Sequence, residues 1–200
     1  MPSRIFGVLI AGLWLGLGLS TSPLAAQQQY TFGVYVGAAG PTGDLKDILG
    51  TGGGGAVSIG GMVSNSVMLK ADLGYWSFGA KSLTVEGQPI EVEGAVIPFR
   101  VGIRKFWGES KRFFTGPTIG FYAPGRDLDG LETHFGFSPQ VGIRFPMGDG
   151  AQTFEIMAEY HTIVIGDENP LTQGPRTFFD NDKVNFFTVG VGFTVGSVGN

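Results

Sequence analysis

Few side chains in this sequence have the types and spacing that catalysis requires. The chain contains two histidines, His134 and His161, and no cysteine, which excludes thiolate nucleophiles, thiolate metal sites and disulfide bonds. His161 follows Glu159 by two residues, and a histidine beside an acid can serve as general base for a hydroxyl nucleophile. The adjacent Thr162 would face away from His161 in an extended strand. The sequence therefore predicts no catalytic residue.

Metal and phosphate sites are not predicted either. Asp127 and Asp129, and likewise Asp180 and Asp182, have a spacing found among calcium ligands, but neither pair belongs to a full ligand set. They are interpreted as solvated loop acids. The glycine run Gly50 to Gly55 lacks the following lysine and hydroxyl residue of a phosphate-binding loop, so it is interpreted as a flexible loop end. We expect no metal and no cofactor.

A larger charged set falls on one face of several alternating segments. Its members are Lys70, Asp72, Arg100, Arg104, Arg144, Glu155 and Glu159. The other residues on this face are mainly glycine, serine and threonine, whereas the opposite face is apolar. Four bases and three acids nearly balance, and buried charges must be paired to be tolerated. A salt-bridge network in a tight interior is therefore predicted, with His161 near its rim; scattered surface charges are the alternative.

Eight segments alternate between apolar and small or polar residues with the period of a strand. They are Tyr30 to Ala38, Gly55 to Val63, Val67 to Phe78, Ile90 to Trp107, Phe113 to Tyr122, His134 to Phe145, Thr153 to Val164 and Asn185 to Val195. In the last, phenylalanine and valine at odd positions from Phe187 to Val195 oppose Phe186 and the threonines and glycines at even positions. Pro98, Pro117 and Pro139 lie inside segments and are expected at bulges or strand ends.

The connections alternate between long and short. The long ones are residues 39–54, 79–89, 123–133 and 165–183. Sequential antiparallel strands place alternate connections at opposite ends, so all the long ones share one end and both termini lie at the other. The fold predicted is all-β, an eight-stranded antiparallel up-and-down barrel.

Alternation alone does not decide which face of the barrel points inward. In a soluble calycin-type barrel, such as a lipocalin, the polar face would meet water, but glycine weakens an exposed strand. A glycine-rich face instead suits a lumen that long charged side chains fill. We therefore predict a transmembrane barrel with its apolar face on lipid.

Aromatic residues at both strand ends are expected to form two interfacial belts. At the end with short connections they are Tyr30, Phe32, Phe106, Trp107, Phe113, Phe145, Phe154 and Phe193; at the other end they are Tyr75, Trp76, Phe121, Tyr122, Phe135, Tyr160 and Phe187.

The N-terminus has the three-part order of a secretory signal peptide. A basic start is followed by an apolar run, Ile5 to Leu19, and then by small residues that end at Ala26. Residues 1–26 are predicted to be this signal peptide and residues 27–200 the barrel. After residue 26 no apolar stretch reaches the ~18 residues that a transmembrane helix needs.

The chain resembles the small eight-stranded outer-membrane barrels of Gram-negative bacteria: the OmpA-like transmembrane domain, OmpX and the opacity-type surface proteins. The signal peptide, the eight strands and the charged set carry this resemblance. The last strand adds Thr188, Gly190, Phe193 and Val195, which match the signal read by the barrel assembly machinery. The tail Gly196 to Asn200 departs from the terminal aromatic residue of many members. The resemblance implies surrounding outer-membrane lipid and lipopolysaccharide, periplasmic N- and C-termini, and long loops outside.

The resemblance leaves several functions open. Some outer-membrane barrels modify lipid A, but the deacylase motif has a serine two residues after its histidine, whereas this sequence has Ile163. We therefore predict a non-catalytic structural or surface-interaction protein whose lumen is plugged by charged side chains. The alternatives are a narrow porin-like channel, a lipid A-modifying enzyme and a soluble periplasmic binder.

The long connections and adjoining strand ends are strongly acidic. They contain twelve acids, Asp44, Asp47, Glu86, Glu91, Glu93, Asp127, Asp129, Glu132, Asp167, Glu168, Asp180 and Asp182, and five bases, Lys46, Lys81, Arg126, Arg176 and Lys183. Such a surface is unsuited to nucleic acid, because phosphate binding needs positive charge. It would suit divalent cations or a basic extracellular ligand, which the sequence does not identify.

Overall fold

The computed structural model describes residues 30–85, 88–125, 133–148, 151–165 and 183–196. These residues form eight strands and one short helix: β1 (Tyr30–Thr42), α1 (Leu45–Ile48), β2 (Gly50–Ser64), β3 (Val67–Val85), β4 (Gln88–Trp107), β5 (Phe113–Pro124), β6 (His134–Met147), β7 (Gln152–Val164) and β8 (Lys183–Val195). Each strand pairs antiparallel with the next, and β1 pairs with β8. The predicted closed eight-stranded up-and-down barrel is confirmed.

The barrel wall is apolar outside and polar inside. On β8, Val189, Val191 and Phe193 point outward and are exposed, whereas Thr188 and Thr194 point inward and are buried. The same parity holds around the barrel, so large apolar side chains cover its outer surface. A soluble calycin-type barrel has the reverse arrangement, and that alternative is therefore wrong. An apolar outside on a closed sheet is what a bilayer requires, because no backbone group is left unpaired at an edge.

The third and fourth strands form a hairpin much longer than predicted. The long loop expected at residues 79–89 is wrong, because Lys81 pairs with Val92 and the ladder continues to Val85 and Gln88. Only residues 86–87 connect the two strands. In the described structure β2 accompanies β3 only as far as Gly79, and the hairpin then rises as a two-stranded ribbon. Two strands satisfied by each other need no apolar face, so the alternation that reveals wall strands is missing here.

The glycine run was wrongly assigned to a loop. It lies in β2, where Gly53, Gly54 and Gly55 pair with β3 and β1. A side chain at Gly54 would collide with the backbone of Tyr75, so glycine here permits close strand packing. The connection between β1 and β2 is correspondingly short and contains α1, which the sequence did not predict.

No helix in the described ranges is long and apolar enough to cross a membrane.

The three prolines lie within strands and not at their ends, contrary to expectation. Pro98 pairs with Tyr122, and Pro117 of β5 lies directly opposite Pro139 of β6. The register is unchanged on both sides of each pair. The ladder tolerates the missing N–H groups because neighbouring residues keep their pairing.

Most of the predicted aromatic belt residues point outward, but three do not. Trp76, Phe106 and Tyr122 are buried in the lumen, at 3%, 2% and 1% exposure. Their strand parity is that of Asp72, Arg104 and Gly120, which face inward. The direction of these three side chains therefore follows from their odd or even position in the strand. Their position near a strand end does not determine it.

Candidate functional site

The lumen is filled by three layers of side chains. The proximal apolar cluster lies at the end of the barrel where the chain termini emerge and consists of Tyr35, Met68, Phe106, Phe114 and Met157. The distal apolar cluster lies at the opposite end and consists of Ala39, Leu45, Leu49, Trp76, Phe78, Val96, Tyr122, Ile163, Ile165 and Phe186. The predicted charged residues lie between and beside these clusters. Two residues of the distal cluster, Leu45 and Leu49, come from α1 and the residue after it, which cover this end.

Arg100, on β4, is the centre of the charged layer and is 1% exposed. Its Nη2 lies 2.5 Å from Asp72 Oδ1, and its Nη1 lies 3.1 Å from Glu159 Oε2. Its Nε donates to the same Asp72 oxygen at 2.7 Å, and Nη1 also donates to the hydroxyl of Ser138 at 2.8 Å. One guanidinium therefore links four strands, β3, β4, β6 and β7.

Arg104 forms a second centre nearer the termini. Its Nη1 lies 2.8 Å from Glu155 Oε2, and its Nη2 donates to Gln140 Oε1 at 3.1 Å. The hydroxyl of Tyr35 donates to the same Glu155 oxygen at 2.6 Å. The guanidinium lies over the ring of Phe114, 4.0 Å from its centroid. Glu155 is thus neutralised by one guanidinium and further bound by a phenol.

Lys70 joins the two centres. Its Nζ lies 3.1 Å from Asp72 Oδ2, in an ion pair, and donates to Gln140 Oε1 at 3.5 Å. Six of the seven predicted charged residues therefore meet in one buried network. Charge-assisted hydrogen bonds of this kind are about twice as strong as neutral ones.

Arg144, the seventh predicted residue, does not join the network, contrary to prediction. It is 5% exposed, and its guanidinium carbon lies 4.9 Å from the centroid of the Phe106 ring. Its Nε and Nη1 have no hydrogen-bond partner among the described residues. Glu155 lies opposite it in the ladder but binds Arg104 instead.

His161 lies inside the lumen and not near the rim, contrary to prediction. It is fully buried, with Nδ1 3.1 Å from the Tyr122 hydroxyl and Nε2 3.2 Å from Thr188 Oγ1. Glu159 Oε2 is 3.6 Å from Nε2. The ring of Phe186 covers one face of the imidazole. The distal apolar cluster therefore separates His161 from the barrel mouth.

Glycines provide the room for the largest lumenal side chains. A Cβ at Gly192 would collide with the ring of Tyr35, and one at Gly142 would collide with the ring of Phe114. The prediction that lumenal glycines leave space for long side chains is confirmed at these positions. Tight interior packing is thus built into the strand sequences.

Several uncharged residues of the network were not singled out from the sequence. Ser138, Gln140, Thr118 and Tyr122 all bind within it; Thr118 Oγ1, for instance, lies 2.6 Å from Ser138 Oγ. Their inward strand parity was the available signal. Among such residues, parity does not distinguish those that bind a charged group from those that merely fill space.

The four residues of the predicted assembly signal fall on both faces of β8. Thr188 points inward to His161, and Gly190 has no room for a side chain beside the backbone of Val36. Phe193 and Val195 are exposed on the apolar outside. A polar residue and a glycine inside, with apolar residues outside, fit the wall, and recognition by the assembly machinery remains a prediction.

The distal surface carries part of the predicted acidic set. Asp47, Glu91 and Glu93 lie there, and Lys81 donates from β3 to the backbone oxygen of Lys46 at 2.5 Å, fastening α1 to the hairpin. The paired acids Asp127 and Asp129, and Asp180 and Asp182, lie outside the described residues, as does the predicted signal peptide. Within the described ranges no three histidine or acidic side chains are grouped as metal ligands.

The chain can be compared with known proteins on this basis. The family model described as "Outer membrane protein beta-barrel domain" matches residues 11–194. No curated protein matches the sequence. Among solved structures, the chain is similar to Neisserial surface protein A, with a TM-score of 0.57 and 14% identity over 84% of this chain and 96% of that one.

Two further solved structures are similar at lower scores. They are the outer membrane protein AlkL, with a TM-score of 0.49 and 12% identity over 86% of this chain and 90% of that one, and OprG from Pseudomonas aeruginosa, with a TM-score of 0.49 and 9% identity over 85% and 97%. At such low sequence identities, structural similarity shows only that the fold is shared.

Proposed function

The chain belongs to the outer membrane protein beta-barrel domain family. We propose that it is a non-catalytic outer-membrane protein and that its own side chains close its lumen. Its role is then structural or one of surface interaction. The observation that carries this proposal is the stacking of the charged network between two apolar clusters. An eight-stranded barrel has an interior just wide enough for side chains to fill.

A narrow porin-like channel is the second candidate, and the network argues against it. A permeating ion would have to displace Arg100, which is held by two carboxylates and a hydroxyl. It would then have to cross the distal apolar cluster, where the rings of Trp76, Phe78 and Phe186 are buried. Both barriers would have to open together for conduction.

Thiol labelling tests whether water reaches the lumen. The natural chain has no cysteine, so a single introduced thiol reports one site. Ser138 is fully buried in the charged layer, whereas Ser82 is exposed on the hairpin. In folded protein a water-soluble maleimide should label Ser82→Cys rapidly and Ser138→Cys only after unfolding. Rapid labelling of folded Ser138→Cys, with folding verified by heat-modifiable gel mobility, would contradict a closed lumen.

The position of His161 supports the absence of lipid A-modifying activity. A lipid substrate would approach from outside the barrel, whereas His161 faces inward beneath Phe186 and is surrounded by the network. Mass spectrometry of lipid A from cells that produce the wild type, His161→Ala or neither protein should show one identical spectrum. A species that requires the wild-type chain and disappears with His161→Ala would instead make the protein an enzyme.

We further propose that the termini are periplasmic and that the acidic distal end faces the outside. Asp47 is exposed on the connection after β1, and Glu109 is exposed on the turn between β4 and β5 at the proximal end. In intact cells a membrane-impermeant maleimide should label Asp47→Cys but not Glu109→Cys. Labelling of Glu109→Cys alone would reverse the orientation.

The outward acidic loops favour a basic or cationic extracellular partner. Outer-membrane lipid and lipopolysaccharide surround the barrel in this proposal, and Thr188, Gly190, Phe193 and Val195 are read by the barrel assembly machinery. Vesicles carrying the full-length protein should bind an oligolysine peptide in a salt-sensitive manner and should not bind heparin. A preference for heparin, which is polyanionic, would contradict the proposed negative charge of the outer surface.

A further inference from the structure

The buried charges of the lumen do not balance. Among the described residues the lumen contains four bases and three acids, namely Lys70, Arg100, Arg104, Arg144, Asp72, Glu155 and Glu159. Every acid is engaged: Asp72 by Lys70 and Arg100, Glu159 by Arg100, and Glu155 by Arg104. Arg144 is left as a cation without a carboxylate partner, even if His161 is neutral.

An exchange of partners inside the network would not remove this surplus. Glu155 lies opposite Arg144 in the ladder, but its Oε2 already receives Arg104 Nη1 at 2.8 Å and the Tyr35 hydroxyl at 2.6 Å. If Arg144 took Glu155, Arg104 would become the unpaired cation. A buried charge without a partner is strongly destabilising, so a counter-ion from outside the chain is expected.

Unpartnered donors lie on three of the lumenal side chains. Arg144 Nε and Nη1, Arg104 Nε and Gln140 Nε2 all lack a hydrogen-bond partner among the described residues. Arg104 and Gln140 are neighbours, since Nη2 of the former donates to Oε1 of the latter at 3.1 Å. The Arg104 and Arg144 guanidiniums lie over Phe114 and Phe106, two rings in contact at 6.1 Å between centroids.

These donors and the surplus charge point to the same ligand chemistry. Water could accept the hydrogen bonds, but it would leave the positive charge in place. We infer that a small monovalent anion of the size of chloride binds at the proximal end of the lumen, where it accepts from Nε and Nη1 of Arg144. One surplus charge calls for a single negative charge, and the Phe106 ring packed on the Arg144 guanidinium favours a small anion.

Anion-dependent stability tests this site in the full-length protein. The urea midpoint of unfolding is measured in chloride and in gluconate, a much bulkier monovalent anion, at equal ionic strength. The wild type should unfold at a higher urea concentration in chloride, and Arg144→Gln should lose this difference. Arg112→Gln is the matched control, because Arg112 is an exposed arginine at the same end and should retain the wild-type difference. Equal chloride dependence in Arg144→Gln and wild type, or none in wild type, would overturn the inference.

Bromide replaces chloride in a test that needs no variant. Wild-type crystals soaked in bromide should show an anomalous peak within hydrogen-bond distance of the Arg144 guanidinium. Peaks confined to exposed side chains such as Arg112 would mean an adventitious ion only and would contradict the site. An Arg144 guanidinium found bonded to Glu155, with Arg104 also paired to a carboxylate, would equally contradict it.

Discussion

The ring of Phe186 lies parallel to the imidazole of His161, with centroids 4.2 Å apart and planes 5° apart. Phe186 also meets the ring of Phe78 edge-on at 5.3 Å. The two ring nitrogens of His161 contact Tyr122, Thr188 and Arg100. This stack joins the distal apolar cluster to the charged layer, so the two layers pack as one unit.

Truncation of Phe186 should therefore be costly. Phe186→Ala leaves a cavity in a close-packed interior and is expected to lower the free energy of unfolding by about 3–5 kcal/mol. The neighbouring Phe187 faces the outside, where lipid can fill the vacated space. Phe187→Ala should lose only the transfer of its ring from water to lipid, about 1.5–3 kcal/mol. Urea unfolding in lipid vesicles compares the two variants, and a larger loss for Phe187→Ala would mean that Phe186 does not pack inside.

Removal of the central guanidinium should have an effect of similar size. Arg100→Met leaves Asp72 and Glu159 buried with reduced neutralisation, and breaking one side of a buried ion pair costs about 3–5 kcal/mol. Arg112→Met removes an exposed arginine and should change the free energy of unfolding by no more than about 0.5 kcal/mol. Equal stability of the two variants in the same unfolding assay would refute a tightly paired lumen.

The room that glycine leaves in the lumen can be tested with one methyl group. Gly192→Ala places a Cβ against the Tyr35 ring, and overpacking of this kind costs about 1–3 kcal/mol. At Gly61 an added Cβ would only touch the Tyr30 ring at 3.6 Å, an ordinary contact. Gly61→Ala should therefore leave the urea midpoint almost unchanged. If both variants unfold alike, Tyr35 does not occupy the space beside Gly192.

Charge placed on the outer surface should report membrane depth. Val191 lies on the outside near the middle of the described span of β8, and Val195 lies outside at its end. In outer-membrane barrels a lipid-facing arginine costs about 2–4 kcal/mol at the midplane and about 0–1 kcal/mol near the interface. Val191→Arg should therefore be more destabilising than Val195→Arg in vesicle unfolding. A smaller loss of stability for Val191→Arg than for Val195→Arg would mean that the bilayer midplane does not lie near Val191.

The wall of the barrel was predictable because strand alternation has a period of two and both faces are distinctive. In β8, every residue from Phe186 to Val195 has the predicted direction or is glycine. The hairpin beyond Gly79 was missed because a ribbon outside the wall needs no apolar face. The glycine run was assigned to a loop because its role depends on backbone contacts with β3, which no local pattern reveals.

The charged site was predictable as a set but not as pairs. Parity placed Lys70, Arg100 and Glu159 on one face, yet Arg100 and Glu159 lie on strands that are not neighbours, and their contact crosses the lumen. Such contacts depend on how the strands are staggered around the closed barrel. The same stagger leaves Arg144 unpaired and places His161 deep inside, and sequence alone predicted neither.

Single-channel recording in planar bilayers tests the closed lumen most directly. Full-length protein, shown to be folded by its heat-modifiable mobility, is inserted and held under an applied voltage. The side chains stacked from Leu45 through Arg100 to Phe106 predict a flat baseline without stable openings. Frequent, stable openings of uniform conductance from the folded wild type would contradict the closed lumen and establish a channel in its place.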